Sequence, residues 1–168
     1  MSDVTIGRDA GGTPGAHQQV QDDPFGTAVA QGAAVMTLDG LLPVEYLSPG
    51  DRIVTRSGAA RLRAVQMHLA QGPLIRLAPG GLGHELPVHV LFLSPETQVL
   101  LRDWRAEVLY GSAQAMVQAG RLIDGDYITQ VPGERARLFT LEFDVPQVIY
   151  VDNVEIGCGA VGMATAAA

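Results

Sequence analysis

Lysine is absent from this sequence. All eleven basic residues are arginine, set against 18 Asp and Glu, for a formal net charge of −7. That excess repels phosphate backbones and no arginine run offsets it locally, so nucleic-acid binding is excluded as a function class. The missing lysine accompanies abundant Ala, Gly and Arg and reads as compositional bias of the genome. Cysteine is nearly absent too: Cys158 stands alone, which rules out an intramolecular disulfide and a multi-thiolate zinc site. No window holds the roughly 20 apolar residues of a membrane span. The start of the chain lacks the basic-then-apolar pattern of a signal peptide. A soluble protein, cytoplasmic by default, with no cofactor and no membrane partner, is the expectation.

What remains suits one domain, since 168 residues can bury a substantial core. Residues 1–24 carry Gly, Pro, Gln and Asp with few apolar side chains, too little to offset the entropy of ordering, and are expected to form a disordered arm. The folded domain is expected over residues 25–156 and a flexible Gly/Ala tail over 157–168.

Within the domain the signals are short strands and turns. Val35–Leu38 precede Asp39-Gly40, a dipeptide suited to a tight hairpin, and Leu41–Val44 follow. Val44–Leu47 reads as a single helical turn. Ser48-Pro49-Gly50-Asp51 makes a corner, because Pro fixes φ and Gly supplies the left-handed position, and Arg52–Arg56 leaves it as a strand. Apolar residues between Ala60 and Leu69 slip phase at Leu62–Val65, as a β-bulge would make them do. Strands are expected at 74–77, 88–93, 99–101, 108–110, 127–131, 137–143 and 148–151. One helix is expected over Ser112–Leu122, with Ser112 as N-cap. The pattern is that of an all-β sandwich or barrel.

The ordered segments Gly32–Thr55, Leu91–Pro95 with Val99–Leu101, Ala119–Gly125 and Val148–Asn153 resemble the Hint domain of hedgehog C-terminal regions, inteins and bacterial autoprocessing proteins, closest to its bacterial branch. The resemblance implies an all-β, Hint-type compact fold of many short strands with one or two short helices. It also implies a reaction. Active members begin with a Cys or Ser that attacks the preceding carbonyl, and a Ser/Thr-x-x-His segment helps the amide nitrogen leave.

Carried over by position, the nucleophile falls on Ala28, the Ser/Thr-x-x-His on Ser94 to Thr97, and the terminal asparagine on Asn153. A methyl group cannot attack a carbonyl, and Thr97 offers no titratable group in place of imidazole. The resemblance therefore implies a Hint module without its usual chemistry, serving as a structural or protein-interaction domain. Its partner would be another protein or the chain's own upstream segment. The alternative is self-cleavage near residue 27 through an unorthodox nucleophile, with Thr27 the adjacent hydroxyl.

Other candidates are weaker. His68, His84, His89 and Glu85 could be pictured as a metal site, but the five-residue offset between His84 and His89 puts strand side chains on opposite faces. Cys158 lies five residues past Asn153 rather than next to it, and reads as a free thiol in the tail. Trp104, between Asp103 and Arg105, would anchor a partner or cap the core from a loop or strand edge. Asp124-Gly125-Asp126 reads as a turn.

Overall fold

The computed structural model describes residues 27–162; the arm assigned to residues 1–24 lies outside them. Among the described residues, fourteen strands build two antiparallel sheets. In chain order they are β1 (Val29–Ala30), β2 (Ala34–Thr37), β3 (Gly40–Pro43), β4 (Arg52–Thr55), β5 (Gly58–Arg61), β6 (Ala64–Leu69) and β7 (Leu74–Leu77). There follow β8 (Leu91–Leu93), β9 (Gln98–Leu101), β10 (Ala115–Gln118), β11 (Ile128–Val131), β12 (Arg137–Glu142), β13 (Gln147–Val151) and β14 (Val154–Cys158). The first sheet runs β11-β7-β8-β1-β12-β6. The second runs β10-β9-β14-β13-β2-β4-β5, with β3 on β2. The fold is all-β.

The Gly32–Thr55 stretch folds as its turn chemistry directs. Thr37 Oγ1 donates to Gly40 O and accepts from Asp39 N–H, closing the β2–β3 hairpin at Gly40, whose φ is 107°. Val44–Tyr46 is a single 3-10 turn. Asp51 Oδ2 accepts from Ser48 N–H across the Pro49-Gly50 corner, and β4 leaves it.

The phase slip at Leu62 has a larger cause than a bulge. β5 belongs to the second sheet and β6 to the first, so the chain changes sheets there. Leu62 is fully buried at the crossing and exchanges hydrogen bonds with the corner: Gly50 N–H donates to Leu62 O, and Leu62 N–H to Asp51 O.

The one α-helix among the described residues is elsewhere than expected. Ser112–Leu122 forms β10 followed by a 3-10 turn over Ala119–Leu122, whereas Trp104–Tyr110, read partly as strand, is helix α1. Two physical effects explain the exchange. Met116 and Val117 obtain backbone partners from β9 (Met116↔Leu100, Val117↔Val99), and this pairing overrides their helical spacing. Asp103 caps α1 by accepting from Arg105 N–H, and Gly111, at φ 69°, ends it. Only Ala106 is buried on α1, so no apolar periodicity announced it. Trp104 is its first residue and is exposed. The stretch read as strand from Val88 narrows to β8.

At the other end, β14 continues through Gly157 and Cys158, two residues into the stretch read as tail, and Cys158 is buried. Asp124 does form a turn: its Oδ1 accepts from the N–H of Asp126 and of Ile128. The core joins both sheets through Val35, Ile53, Ile75, Leu93, Ile149, Ile156 and Phe143, while a small second cluster gathers Ala28, Ala70, Leu74 and Leu138.

Candidate functional site: the Thr27–Ala28 peptide

Strand β1 is two residues long and is wedged between β8 and β12, with Val29 opposite both Leu93 and Phe139. That placement brings Ala28 against the turn Ser94-Pro95-Glu96-Thr97, which carries the chain from β8 in one sheet to β9 in the other. Thr97 N–H donates to Ser94 O to close the turn. The N–H groups of Ala119 and Gly120 hold it from outside by donating to Thr97 O and Pro95 O. Gly120 suits that contact, since a Cβ there would stand 3.3 Å from Pro95 O.

Ala28, Ser94 and Thr97 thus meet, all buried. The Thr97 hydroxyl accepts from Ala28 N–H at 3.0 Å and donates to Ala28 O at 2.9 Å. Ser94 Oγ lies 2.7 Å from Thr97 Oγ1, and Ser94 N–H donates to Ala28 O at 3.0 Å. A hydroxyl has one proton and two lone pairs. Thr97 Oγ1 thus has three polar neighbours, Ala28 N–H, Ala28 O and Ser94 Oγ, and either hydroxyl can be the donor between the two.

The peptide group ahead of Ala28 is held at both ends. Thr140 Oγ1, on β12, donates to Thr27 O at 3.1 Å, while Thr97 takes the N–H of Ala28. Thr27 Oγ1 accepts from Gln98 N–H at 3.2 Å. Sequence reasoning missed Thr140. No local motif marks it; only the β1–β12 register, Val29 on Phe139, places it here.

Chemically this arrangement holds the Thr27–Ala28 peptide by its N–H and its carbonyl. Thr97 receives a hydrogen bond from the amide N–H, whereas amide expulsion needs a proton delivered to that nitrogen.

The remaining candidates lie apart. Asn153 is exposed in the β13–β14 turn, where Asp152 and Asn153 have φ 49° and 68°. Its neighbour Asp152 is buried, accepting from Ala34 N–H and facing His89 Nδ1, each at 3.3 Å. Cys158 is five residues on, and burial pushes its thiol up to about 12. His84 and Glu85 occupy a loop at positive φ, and His68 lies on β6. Among the described residues no three His, Cys, Asp or Glu side chains gather as a metal site, and no helix is long and apolar enough to cross a membrane.

Known structures share this architecture. The chain is similar to the bacterial intein-like domain from Clostridium thermocellum, at 15% identity and TM-score 0.56, covering 79% of this chain and 97% of that one. It is similar also to a DnaB intein from Synechocystis sp. PCC 6803, at 11% identity and TM-score 0.54, covering 79% of this chain and 99% of that one. At such identities the likeness shows the fold alone. No curated protein matches the sequence significantly. The family model described as Hint domain matches residues 27–158, from the gripped threonine to the end of β14, and the chain belongs to the Hint domain family.

Proposed function

We propose that this chain is a Hint-fold module whose self-processing chemistry is silent and which serves as a structural or protein-interaction domain. The observation that carries the reading is Thr97 beside Ala28: the first is a hydroxyl that accepts the amide N–H of the second and has no titratable group near neutral pH, and the second has no reactive atom. Hydrogen bonding an amide N–H to an acceptor favours the resonance form that resists cleavage, so the contact supports holding the Thr27–Ala28 peptide rather than opening it.

Intact mass tests the reading. The purified chain is expected to stay at 17.7 kDa with dithiothreitol or hydroxylamine present, and a product lacking the first 27 residues would overturn it. A second measurement asks how much of the reactive geometry persists. Ala28→Cys with Thr97→His returns a thiol and an imidazole to the two positions and is expected to release the upstream segment detectably. The histidine enters a position with no exposed surface, so overpacking is expected to cost about 1–3 kcal/mol of stability. A folded double variant that never cleaves would show that the surroundings of the peptide have changed as well.

A further inference from the structure

Helix α1 turns its apolar side to water. Its one buried residue is Ala106, while Trp104, Val108 and Leu109 are 67%, 69% and 62% exposed and Tyr110 is 43% exposed. At about 100° per residue, Trp104 and Val108 stand one turn apart on the side opposite Ala106. The patch continues past the start of the helix. Arg105 Nη2 donates to Gly81 O, and a Cβ on Gly81 would stand 3.2 Å from the Cβ of Tyr127, a half-exposed ring. Exposed leucines scattered singly are ordinary, but large apolar side chains gathered on one short helix mark an interaction surface.

The charges beside this surface are largely neutralised within the chain. Arg105 is bound to Asp103 through Nε and Nη2 at 2.9 and 2.7 Å, and Arg102 Nε pairs with Glu155 at 3.2 Å. Asp124, which feels the charge of Arg105, accepts from the N–H groups of its own turn, and Asp126 is exposed next to Tyr127. Glu107, also exposed, is the one charge on α1 without an ion pair among the described residues. The helix and its flanks therefore offer an acidic partner no unpaired cation, and a basic partner a single carboxylate on α1. What they offer is apolar area.

We propose that a second copy of this chain covers that area, joined face to face through α1 about a two-fold axis. With the two helices antiparallel, Trp104 of each copy lies over Val108 of the other, large upon small. Two aromatic and two aliphatic side chains at these exposures offer on the order of 500 Å² per copy. The pair then buries on the order of 1,000 Å², the least that a specific interface needs, and dissociates at a constant on the order of 10 μM. The two-fold axis sets both Glu107 carboxylates on one side of the pair, and each chain carries a net charge of −7, so salt strengthens the dimer by screening. The interface is independent of whether the Thr27–Ala28 site reacts.

Sedimentation equilibrium on the purified full chain, with the emission of Trp104, its sole tryptophan, tests the proposal. Between ~1 and ~300 μM the chain is expected to pass from monomer to dimer, and the emission to move to the blue in step as the ring leaves water. Val108→Asp changes a side chain that is exposed in the single chain, so it is expected to keep the fold and to weaken association at least about tenfold. Met67→Asp puts the same charge on β6, away from α1, and is expected to leave association unchanged. A chain still monomeric at ~300 μM overturns the proposal. So does a dimer that Val108→Asp leaves intact or that Met67→Asp disrupts, since another surface would then join the copies. Emission that is blue at every concentration also overturns it, because the ring would be covered within one chain.

Discussion

The two ends of the domain carry the positions where Hint chemistry would begin and finish, and they have been treated differently by the fold. At the first, Ala28, Ser94 and Thr97 come from segments nearly 70 residues apart and still meet in a closed hydrogen-bonded set. At the last, Asn153 is the exposed residue of a turn whose other residue, Asp152, is buried, and the strand after it ends at Cys158, a buried thiol. The difference teaches that hydrogen-bonded geometry is kept where it holds strands together. Ala28 sits where β1 enters between β8 and β12, and the hydroxyls that grip it help tie that sheet to the Ser94–Thr97 crossover. Among the described residues, Asn153 ties nothing beyond its own hairpin.

The widest gap between the two ends should appear on replacing Thr97 by valine, which keeps the shape and deletes the hydroxyl. The buried Ala28 N–H then loses its acceptor and Ser94 loses one partner, so stability is expected to fall by about 2–4 kcal/mol. Thr97→Ser keeps the oxygen and should recover most of the loss. Urea denaturation reads both. A valine variant within half a kilocalorie of the unaltered protein would mean that the grip contributes little and that the contrast with Asn153 is one of appearance.

Cys158 gives a second, pH-dependent contrast. Its pKa is raised by burial from 9.0 to about 12. An acid held protonated in the fold contributes stability that is whole below the unfolded value and lost as pH rises toward the folded one. Between pH 9 and 12 the loss from this group approaches about 1.4 kcal/mol per pH unit. Cys158→Ala should remove that part of the alkaline slope. If the slope is unchanged, the thiol is less enclosed than its place in β14 indicates. The same burial predicts that iodoacetamide at pH 8 labels Cys158 only after unfolding, which bears on its use as a downstream nucleophile.

How much of this was legible in the sequence depended on the range of the interaction. The Asp39-Gly40 hairpin and the Pro49-Gly50-Asp51 corner are settled within a few residues, and they were readable. Ser112–Leu122 has helical spacing but obtains strand partners from β9, a choice made by residues 14 to 20 positions away. Helix α1 hid for the opposite reason, having caps at Asp103 and Gly111 but almost nothing to bury. At the site, the positions of Ala28, Ser94 and Thr97 came from a family resemblance, and the roles of Thr27 and Thr140 came only from strand register. A threonine in a strand has no local mark of what its hydroxyl will meet across the sheet.

The smallest expected effect lies at the far turn, and it is the sharpest check on the comparison. Asp152 and Asn153 both have positive φ, a conformation that glycine reaches without steric cost and that asparagine tolerates better than most residues. Asn153→Gly removes the side chain from a position where it is exposed and leaves the backbone free to keep its turn. The change is expected to stay within about 0.5 kcal/mol of neutral, because a surface position away from a cap or a core has little to lose. Asp152→Ala, one residue earlier, should cost about 1–2 kcal/mol, since Ala34 N–H and His89 lose a buried acceptor. If Asn153→Gly proves as damaging as Thr97→Val, then the asparagine has a partner that the exposed turn does not reveal, and the two ends of the domain would have to be read as equally constrained.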